Sequence, residues 1–236
     1  MISKNIIPQI YKNLLHLHNH QGWWPILTAS SPNKSREAVI FKSRYHPKDY
    51  SYPKTNAQRF EICIGAIATQ NTSWIQVEKA LLNLRNLNAL NPENMKNIDT
   101  RKLKTALKPA GYFNQKAKKI KIFTDFYLSL NNKTPTREEL LNLWGIGKET
   151  ADSILLYAYQ QPHFVIDAYT RRILINFGLI KEDADYDEIK ALFESNLKSD
   201  YKVFQEYHAL LVEHAKRYYR DKKKYRLCPL YQMYGK

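Results

Sequence analysis

The sequence predicts an all-α protein. Apolar residues recur at helical spacing over long segments, for example at Ile6, Ile7, Ile10 and Leu14 near the N-terminus. Only 7 of the 236 residues are glycine, which also favours long helices over many tight turns. A chain of this length can bury a hydrophobic core and could form one domain or two small ones.

The chain is strongly basic, with a formal net charge of +15 and a pI near 9.6. This charge favours a polyanionic partner, above all a nucleic acid, although charge alone can serve solubility. Cys63 and Cys228 are the only cysteines, which argues against a disulfide framework and fits a reducing cytosol. The sequence shows neither a membrane-length apolar run nor a signal-peptide core, so we expect a cytoplasmic protein without a membrane partner.

The first predicted helix covers residues 3–17 and leads into a histidine-rich stretch. His16 and His20 could share a helix face, but no further ligand group is evident, so we favour a polar helix end over a zinc site and predict no metal. Trp23 and Trp24 then precede Pro25 in extended or turn structure, because proline disfavours the helical region for the residue before it. Paired tryptophans are by default core residues.

Residues 28–57 are polar, basic and interrupted by prolines, which predicts a surface insertion with a short strand or turn at Ala38–Phe41. The insertion could contact DNA or could be a solvated excursion; its candidate contacts are Lys34, Arg36, Lys42 and Arg44. Helix resumes at residues 58–69 and ends at a polar turn with Gln70 and Asn71. Such a turn is normally only a connection.

A glycine turn at Gly111 starts a basic helix whose lysines could follow a phosphate backbone or simply face solvent. Further along, Thr136 is a predicted N-cap, and two helices meet at Gly145-Ile146-Gly147. Backbone N–H groups at the start of the second helix can hold a phosphate without any side chain. An ordinary αα-hairpin is the alternative.

The segment from Leu143 to Ala151, followed by Ile166-Asp167, resembles the helix-hairpin-helix and catalytic aspartate of the endonuclease III superfamily of DNA glycosylases. Its pattern is L-x-G-(I/V)-G-x-x-(T/S)-A, with a Val/Ile-Asp pair further along. The loop here keeps Pro162 but lacks the glycine often found there. Within the superfamily the chain is most similar to the three-methyladenine DNA glycosylase III branch, which has similar Trp-Trp-Pro and Gly-Tyr-x-x-x-Lys-Ala elements.

The resemblance implies a two-lobed helical fold. A six-helix barrel domain would cover residues 51–161 and include the hairpin at 137–158. A second helical domain would combine residues 1–50 and 162–236, and the cleft between the lobes would hold the site. The implied partner is double-stranded DNA with damaged bases, bound by a monomer.

The resemblance also assigns site residues. Asp167 would be the catalytic carboxylate, with a plain helix N-cap as the alternative. Gln70 would fill the gap left by the extruded nucleotide. The implied base pocket comprises Trp23, Trp24, Pro25 and Phe60, with core packing as the alternative for Phe60. The implied DNA-binding residues are Gln70, Asn71, Lys116, Lys118, Lys119, Gly145, Ile146, Gly147, Lys148 and Thr150.

Two expected residue types are missing. Bifunctional relatives use a lysine directly before the Thr-Ala of the hairpin, where this chain has Glu149. Many relatives bind a [4Fe–4S] cluster through C-x6-C-x2-C-x5-C, whereas setting Cys228 in the third place puts tyrosines at the other three. We therefore predict neither lyase activity nor an iron–sulfur cluster; a monovalent cation at the hairpin stays open.

The main functional hypothesis is hydrolytic removal of alkylated purines, three-methyladenine above all, by a monofunctional glycosylase of base excision repair. The alternatives are a glycosylase for mismatched or oxidised bases (uracil, thymine or 8-oxoguanine) and a non-catalytic DNA-binding relative.

Overall fold

The computed structural model describes residues 6–29, 41–220 and 224–235. They are mostly helical, which confirms the predicted all-α class, with one short antiparallel sheet added. Twelve α-helices follow one another in these residues: α1 Ile6–His18, α2 Asn56–Ala68, α3 Trp74–Asn86, α4 Pro92–Asn97, α5 Thr100–Leu107, α6 Phe113–Ser129, α7 Arg137–Leu141, α8 Lys148–Ser153, α9 Ala168–Asn176, α10 Tyr186–Glu194, α11 Tyr201–Tyr218 and α12 Pro229–Tyr234.

The chain divides into two compact units. The terminal unit comprises Met1–Trp23, His46–Tyr50 and Gln160–Lys236, and the central unit comprises Trp24–Tyr45 and Ser51–Tyr159. The sequence-based bounds instead assign residues 24–45 to the terminal domain and residues 160–161 to the barrel domain. Within the described residues, no helix has both the length and the apolar character needed to cross a bilayer.

Aromatic packing forms the core of the terminal unit. The Phe164 ring stacks on Phe193 at 3.9 Å and meets Phe204 and Tyr207 edge-on. Helices α1 and α9 both pack against α11, and the Tyr207 hydroxyl donates to the carbonyl of Ile7 at 2.9 Å. Large rings that interlock in this way hold distant parts of the chain together through buried apolar area.

A buried carboxylate, Glu206, ties the segment His46–Tyr50 to this unit. It accepts hydrogen bonds from the Tyr50 hydroxyl at 2.7 Å and from the backbone N–H of Gln21 at 2.7 Å, and His20 Nδ1 lies 3.2 Å away. These partners compensate the cost of burying the charge. These hydrogen bonds explain why the segment His46–Tyr50 belongs to the terminal unit.

The histidine-rich stretch also serves packing. His16 is exposed, whereas His18 is buried with Nε2 2.9 Å from His214 Nδ1. Because α1 ends at His18, His16 and His20 do not lie on one face of the same helix. Across the described ranges, no group of three or more His, Cys, Asp or Glu side chains is arranged to hold a metal ion.

The central unit carries the two-stranded sheet, β1 Ile26–Ala29 and β2 Phe41–Arg44. Glu61 of α2 anchors it, because its carboxylate accepts from the Leu27 N–H at 2.7 Å and from the Arg85 guanidinium at 2.6 Å. The predicted strand at Ala38–Phe41 corresponds only to the start of β2, since residues 30–40, including Lys34 and Arg36, lie outside the described residues.

Candidate active site

The loop before Asp167 is held by two backbone hydrogen bonds and by three buried side chains. The Phe164 N–H donates to Glu194 Oε1 at 2.8 Å, and the Ile166 N–H donates to the Tyr186 hydroxyl at 3.4 Å. The side chains of Phe164, Val165 and Ile166 are all buried. Anchoring of both backbone and side chains fixes the point at which α9 begins.

Asp167 is the N-cap of α9. Its Oδ1 accepts the Thr170 N–H at 2.7 Å, as a capping carboxylate should. Its Oδ2 lies 3.9 Å from Nε2 of His208, and 15% of its side chain is exposed. The cap role and a chemical role are therefore not exclusive, because each uses a different oxygen of the same carboxylate.

Two residues of α11 lie close enough to Asp167 to interact with its charge, and the sequence analysis missed both. His208 is buried; burial lowers the pKa of this imidazole, and the nearby Asp167 carboxylate opposes that effect. Lys216 lies eight residues further along α11, and burial is the main cause that lowers the pKa of its ammonium group. Nothing in the local sequence pattern distinguishes either residue from an ordinary helix position.

Trp23 completes this cluster in the terminal unit. Its ring meets His208 edge-on, with centroids 5.9 Å apart and planes at 87°. Lys216 Nζ lies 5.4 Å from the centroid of the Trp23 ring, within the range of a cation–π contact. We use the name carboxylate cluster for Trp23, Asp167, His208 and Lys216.

The other predicted pocket residues belong to the central unit, and all are buried. Trp24 packs against Trp74 and Tyr157 at centroid distances of 5.4 and 5.2 Å. Phe60 is fully buried with its ring 5.1 Å from Tyr127. Pro25 is buried as well. The contacts of Trp24 and Phe60 are core packing, so of the predicted pocket set only Trp23 lies in the same unit as Asp167.

The predicted hairpin is present in the central unit. Thr136 and Glu139 form a reciprocal capping box at the start of α7. Gly145 adopts φ +85, a left-handed conformation that favours glycine, and Gly147 is the N-cap of α8. Ile146 is buried between these two exposed glycines and anchors the turn.

The hairpin is hydrogen-bonded to the turn between α2 and α3. Gln70 Nε2 donates to the Gly145 carbonyl at 3.0 Å and to Thr150 Oγ1 at 2.9 Å. Lys119 Nζ of α6 donates to Gln70 Oε1 at 2.5 Å, and its stem lies where a Cβ at position 145 would be. Four of the predicted DNA-binding residues thus form one network, which we call the hairpin clamp: Gln70, Lys119, Gly145 and Thr150.

Comparison with known proteins decides the family. Residues 64–199 match the family described as HhH-GPD superfamily base excision DNA repair protein. This chain belongs to the HhH-GPD superfamily. A Methanocaldococcus jannaschii protein named as a DNA repair glycosylase is 41% identical over 236 residues, which cover 95% of this chain and 94% of that protein. The superfamily predicted from the hairpin and the aspartate is therefore confirmed.

Solved HhH-GPD structures share the fold. The Helicobacter pylori 3-methyladenine DNA glycosylase MagIII, bound to 1,N6-ethenoadenine, has a TM-score of 0.68 and 28% identity, and the match covers 92% of this chain and 98% of that chain. An endonuclease III in a non-covalent complex with DNA has a TM-score of 0.75 at 15% identity, covering 100% and 96% of the two chains, which shows the fold alone.

The basic helix of this HhH-GPD protein differs from the prediction. Lys116 is only 2% exposed, and its Nζ donates to the Ala110 carbonyl at 2.7 Å. This corrects the prediction that Lys116 contacts DNA, because a buried and hydrogen-bonded ammonium cannot reach a phosphate. Lys118 is exposed, with its Nζ 4.3 Å from the centroid of the Trp144 ring beside the hairpin.

Because Lys116 is buried, we expect the free energy of unfolding to depend on pH. Desolvation, helped by the Lys119 charge, lowers the pKa of Lys116 from 10.5 to about 8. Between these values the unfolded chain binds the proton and the folded protein does not, so the free energy of unfolding should rise with pH by about 3 kcal/mol in total. Below pH 8 the full cost of burying the charge remains.

The measurement is denaturant unfolding of the wild type and of Lys116→Met at several pH values between 7 and 11. The wild-type curve should rise relative to the variant across the interval, because the variant lacks the titrating group. Parallel curves would contradict the prediction.

The residues present do not fit a [4Fe–4S] cluster. Four thiolates are needed, whereas the whole chain has two cysteines, Cys63 in the central unit and Cys228 in the terminal unit. Cys228 Sγ instead lies 2.9 Å from His214 Nε2 and accepts from the Tyr231 N–H at 3.2 Å. Hydrogen bonds and ring packing hold this region together.

Proposed function

We propose that this HhH-GPD protein is a monofunctional DNA glycosylase that hydrolyses the N-glycosidic bond of alkylated purines, above all three-methyladenine. The observation that carries the proposal is the carboxylate of Asp167. One of its oxygens is fixed by the cap of α9, and the other lies 3.9 Å from Nε2 of the buried His208, whose ring in turn meets Trp23 edge-on.

The carboxylate matches the charge that develops in the reaction. Cleavage of a glycosidic bond passes through an oxocarbenium-like transition state, in which the sugar carries positive charge. Asp167 Oδ2 would stabilise that charge and would orient or deprotonate the attacking water. Because the cap bond from Thr170 holds Oδ1, the carboxylate is already oriented before the substrate arrives.

Trp23 supports alkylated purines as the substrate class. Alkylation of a purine nucleoside at a ring nitrogen makes it cationic, and an indole face attracts a cation. The Lys216 ammonium lies 5.4 Å from the centroid of the Trp23 ring, so a cationic base would displace this ammonium or stack on the opposite face of the indole. The modified adenine bound by the H. pylori relative agrees with this substrate class.

The hairpin and the net charge support double-stranded DNA as the partner. Gly147 is the N-cap of α8, and the backbone N–H groups at the start of such a helix can hold a phosphate. Lys118 and Asn71 are exposed beside the same hairpin clamp. We propose that the protein acts as a monomer and without an iron–sulfur cluster.

A missing lysine predicts that no covalent intermediate forms. Glu149 occupies the position where bifunctional relatives carry their amine, and a carboxylate cannot form an imine. Lys148 is adjacent, but one helical step turns it about 100° away. We expect that borohydride will trap no adduct with alkylated DNA, with a bifunctional glycosylase as positive control. An adduct through Lys148 would refute the monofunctional assignment.

The proposed function is tested with a panel of duplexes, each carrying one lesion. Release of free methylated base from alkylated DNA is the expected result. Release only from uracil, thymine-mismatch or oxidised-guanine duplexes would replace the proposal by a different glycosylase specificity. DNA binding without release from any duplex would indicate a non-catalytic relative.

A further inference from the structure

We propose that His208 is a positioning residue for Asp167: its neutral imidazole leaves the charge of the carboxylate available to the substrate, and its protonated form cancels that charge. The two side chains then act as one pH-sensitive pair inside the carboxylate cluster. The inference rests on the proposed function, because it concerns the group that would stabilise the oxocarbenium and activate water.

His208 approaches the oxygen of Asp167 that the helix cap does not use. The Thr170 N–H donates to Oδ1 at 2.7 Å, whereas His208 Nε2 lies 3.9 Å from Oδ2. This separation is longer than a hydrogen bond, so the imidazole takes up no lone pair of Oδ2. A positive charge at the same distance would nevertheless pair with the carboxylate, because the attraction between charges reaches further than a hydrogen bond.

The imidazole is enclosed in a way that favours its neutral form. Only 6% of the His208 side chain is exposed, and the Trp23 ring meets it edge-on with the planes at 87°. Burial lowers the pKa of His208 from its ordinary value of 6.5, and the Asp167 carboxylate acts in the opposite direction. At neutral pH the uncharged imidazole therefore predominates, and it does not cancel the negative charge of Asp167.

Lys216 is the other basic group of the carboxylate cluster, and it lies on the same helix as His208. Its Nζ is 5.4 Å from the centroid of the Trp23 ring, and Trp23 itself brings no charge. Within the cluster, His208 is therefore the group whose charge changes most readily just below neutral pH.

A histidine meets both requirements at this position, whereas other polar residues meet only one. A lysine or arginine would stay charged at neutral pH and would pair with Asp167 permanently. A glutamine would stay neutral, so the carboxylate would keep its charge until it took up a proton itself. Histidine alone changes from one behaviour to the other near physiological pH.

The charge balance of the proposed reaction makes the state of this pair visible in the rate. When the bond from C1′ to an alkylated purine breaks, its electron pair neutralises the cationic base, so the leaving base needs no proton. The water oxygen then bonds to C1′, and the proton that water loses passes to Asp167 and on to solvent. Because the reaction needs a base and no acid, its rate should fall only on the acid side.

The first experiment measures the coupling without any substrate. The imidazole resonance of His208, assigned through its backbone, is titrated between about pH 4 and 8 in wild type, Asp167→Asn and the control Asp200→Asn. We expect Asp167→Asn to lower the titration midpoint of His208 by about one pH unit, because the charge that opposes burial is gone. Asp200→Asn should leave the midpoint unchanged. Equal midpoints in wild type and Asp167→Asn, or no titration of His208 in wild type, would overturn the proposal.

The second experiment records single-turnover base release from alkylated DNA over the same pH range, corrected for uncatalysed release. In His208→Gln the fall on the acid side should move down by about one pH unit, because only one of two coupled groups remains. His214→Gln is the matched control, since His214 is another buried histidine of α11 but is hydrogen-bonded to His18 and Cys228. The control should keep the wild-type pH dependence. His208→Asn serves as a second variant if the glutamine variant does not fold.

The outcomes separate this inference from the proposed function. Base release with the same pH dependence in wild type and His208→Gln would overturn the role of His208 and leave the glycosylase assignment intact. Absence of base release at every pH would instead refute the proposed function, and the resonance titration would still decide whether His208 and Asp167 are coupled.

Discussion

Replacing Asp167 by Asn should lower the rate of base release from alkylated DNA by at least about a hundredfold, the usual loss when a group that stabilises transition-state charge is removed. The amide carries no negative charge to stabilise the oxocarbenium, and it cannot deprotonate water. Asparagine is as good an N-cap as aspartate, so α9 should keep its start and the fold its stability. Single-turnover base release measures the effect.

Asp200→Asn is the matched control for Asp167→Asn. Asp200 is also an N-cap aspartate of the terminal unit, where it accepts the Lys202 N–H at 2.9 Å at the start of α11. Its replacement should leave the release rate and the melting temperature unchanged. If Asp167→Asn retained the wild-type rate, Asp167 would be no more than a helix cap.

Replacing Arg137 by Ala should reduce the free energy of unfolding by about 3 kcal/mol, as expected when a buried charge loses its partner. The Arg137 guanidinium contacts Asp152 with Nε–Oδ1 at 2.8 Å and a second bond at 3.2 Å, and the Asp152 side chain is fully buried. This pair connects α7 to α8, the two helices on either side of the hairpin turn. Denaturant unfolding measures the loss.

Arg101→Ala provides the control for a surface ion pair. Arg101 and Asp99 are 3.8 Å apart, but their side chains are 94% and 47% exposed, so Arg101→Ala should lower the free energy of unfolding far less than Arg137→Ala does. Equal losses in the two variants would show that burial of Asp152 does not carry the effect.

Local chemistry in the sequence was sufficient to predict several elements. The N-cap Thr136, the two-glycine turn and the N-cap Asp167 all depend on residues within a few positions of one another, and the structure contains each of them. Helical periodicity likewise predicted the all-α class, because the repeat of apolar residues is a property of each helix by itself. The superfamily followed from the same short segments.

The partners of long polar side chains were not predictable in this way. Lys116 is one of several lysines in a basic run, and only the fold shows that its ammonium is buried against the Ala110 carbonyl. The same is true of Gln70, whose partners lie 75 and 80 residues away in sequence, and of His208 beside Asp167. Helical spacing says which face a residue occupies, whereas which distant group meets that face depends on how the helices pack.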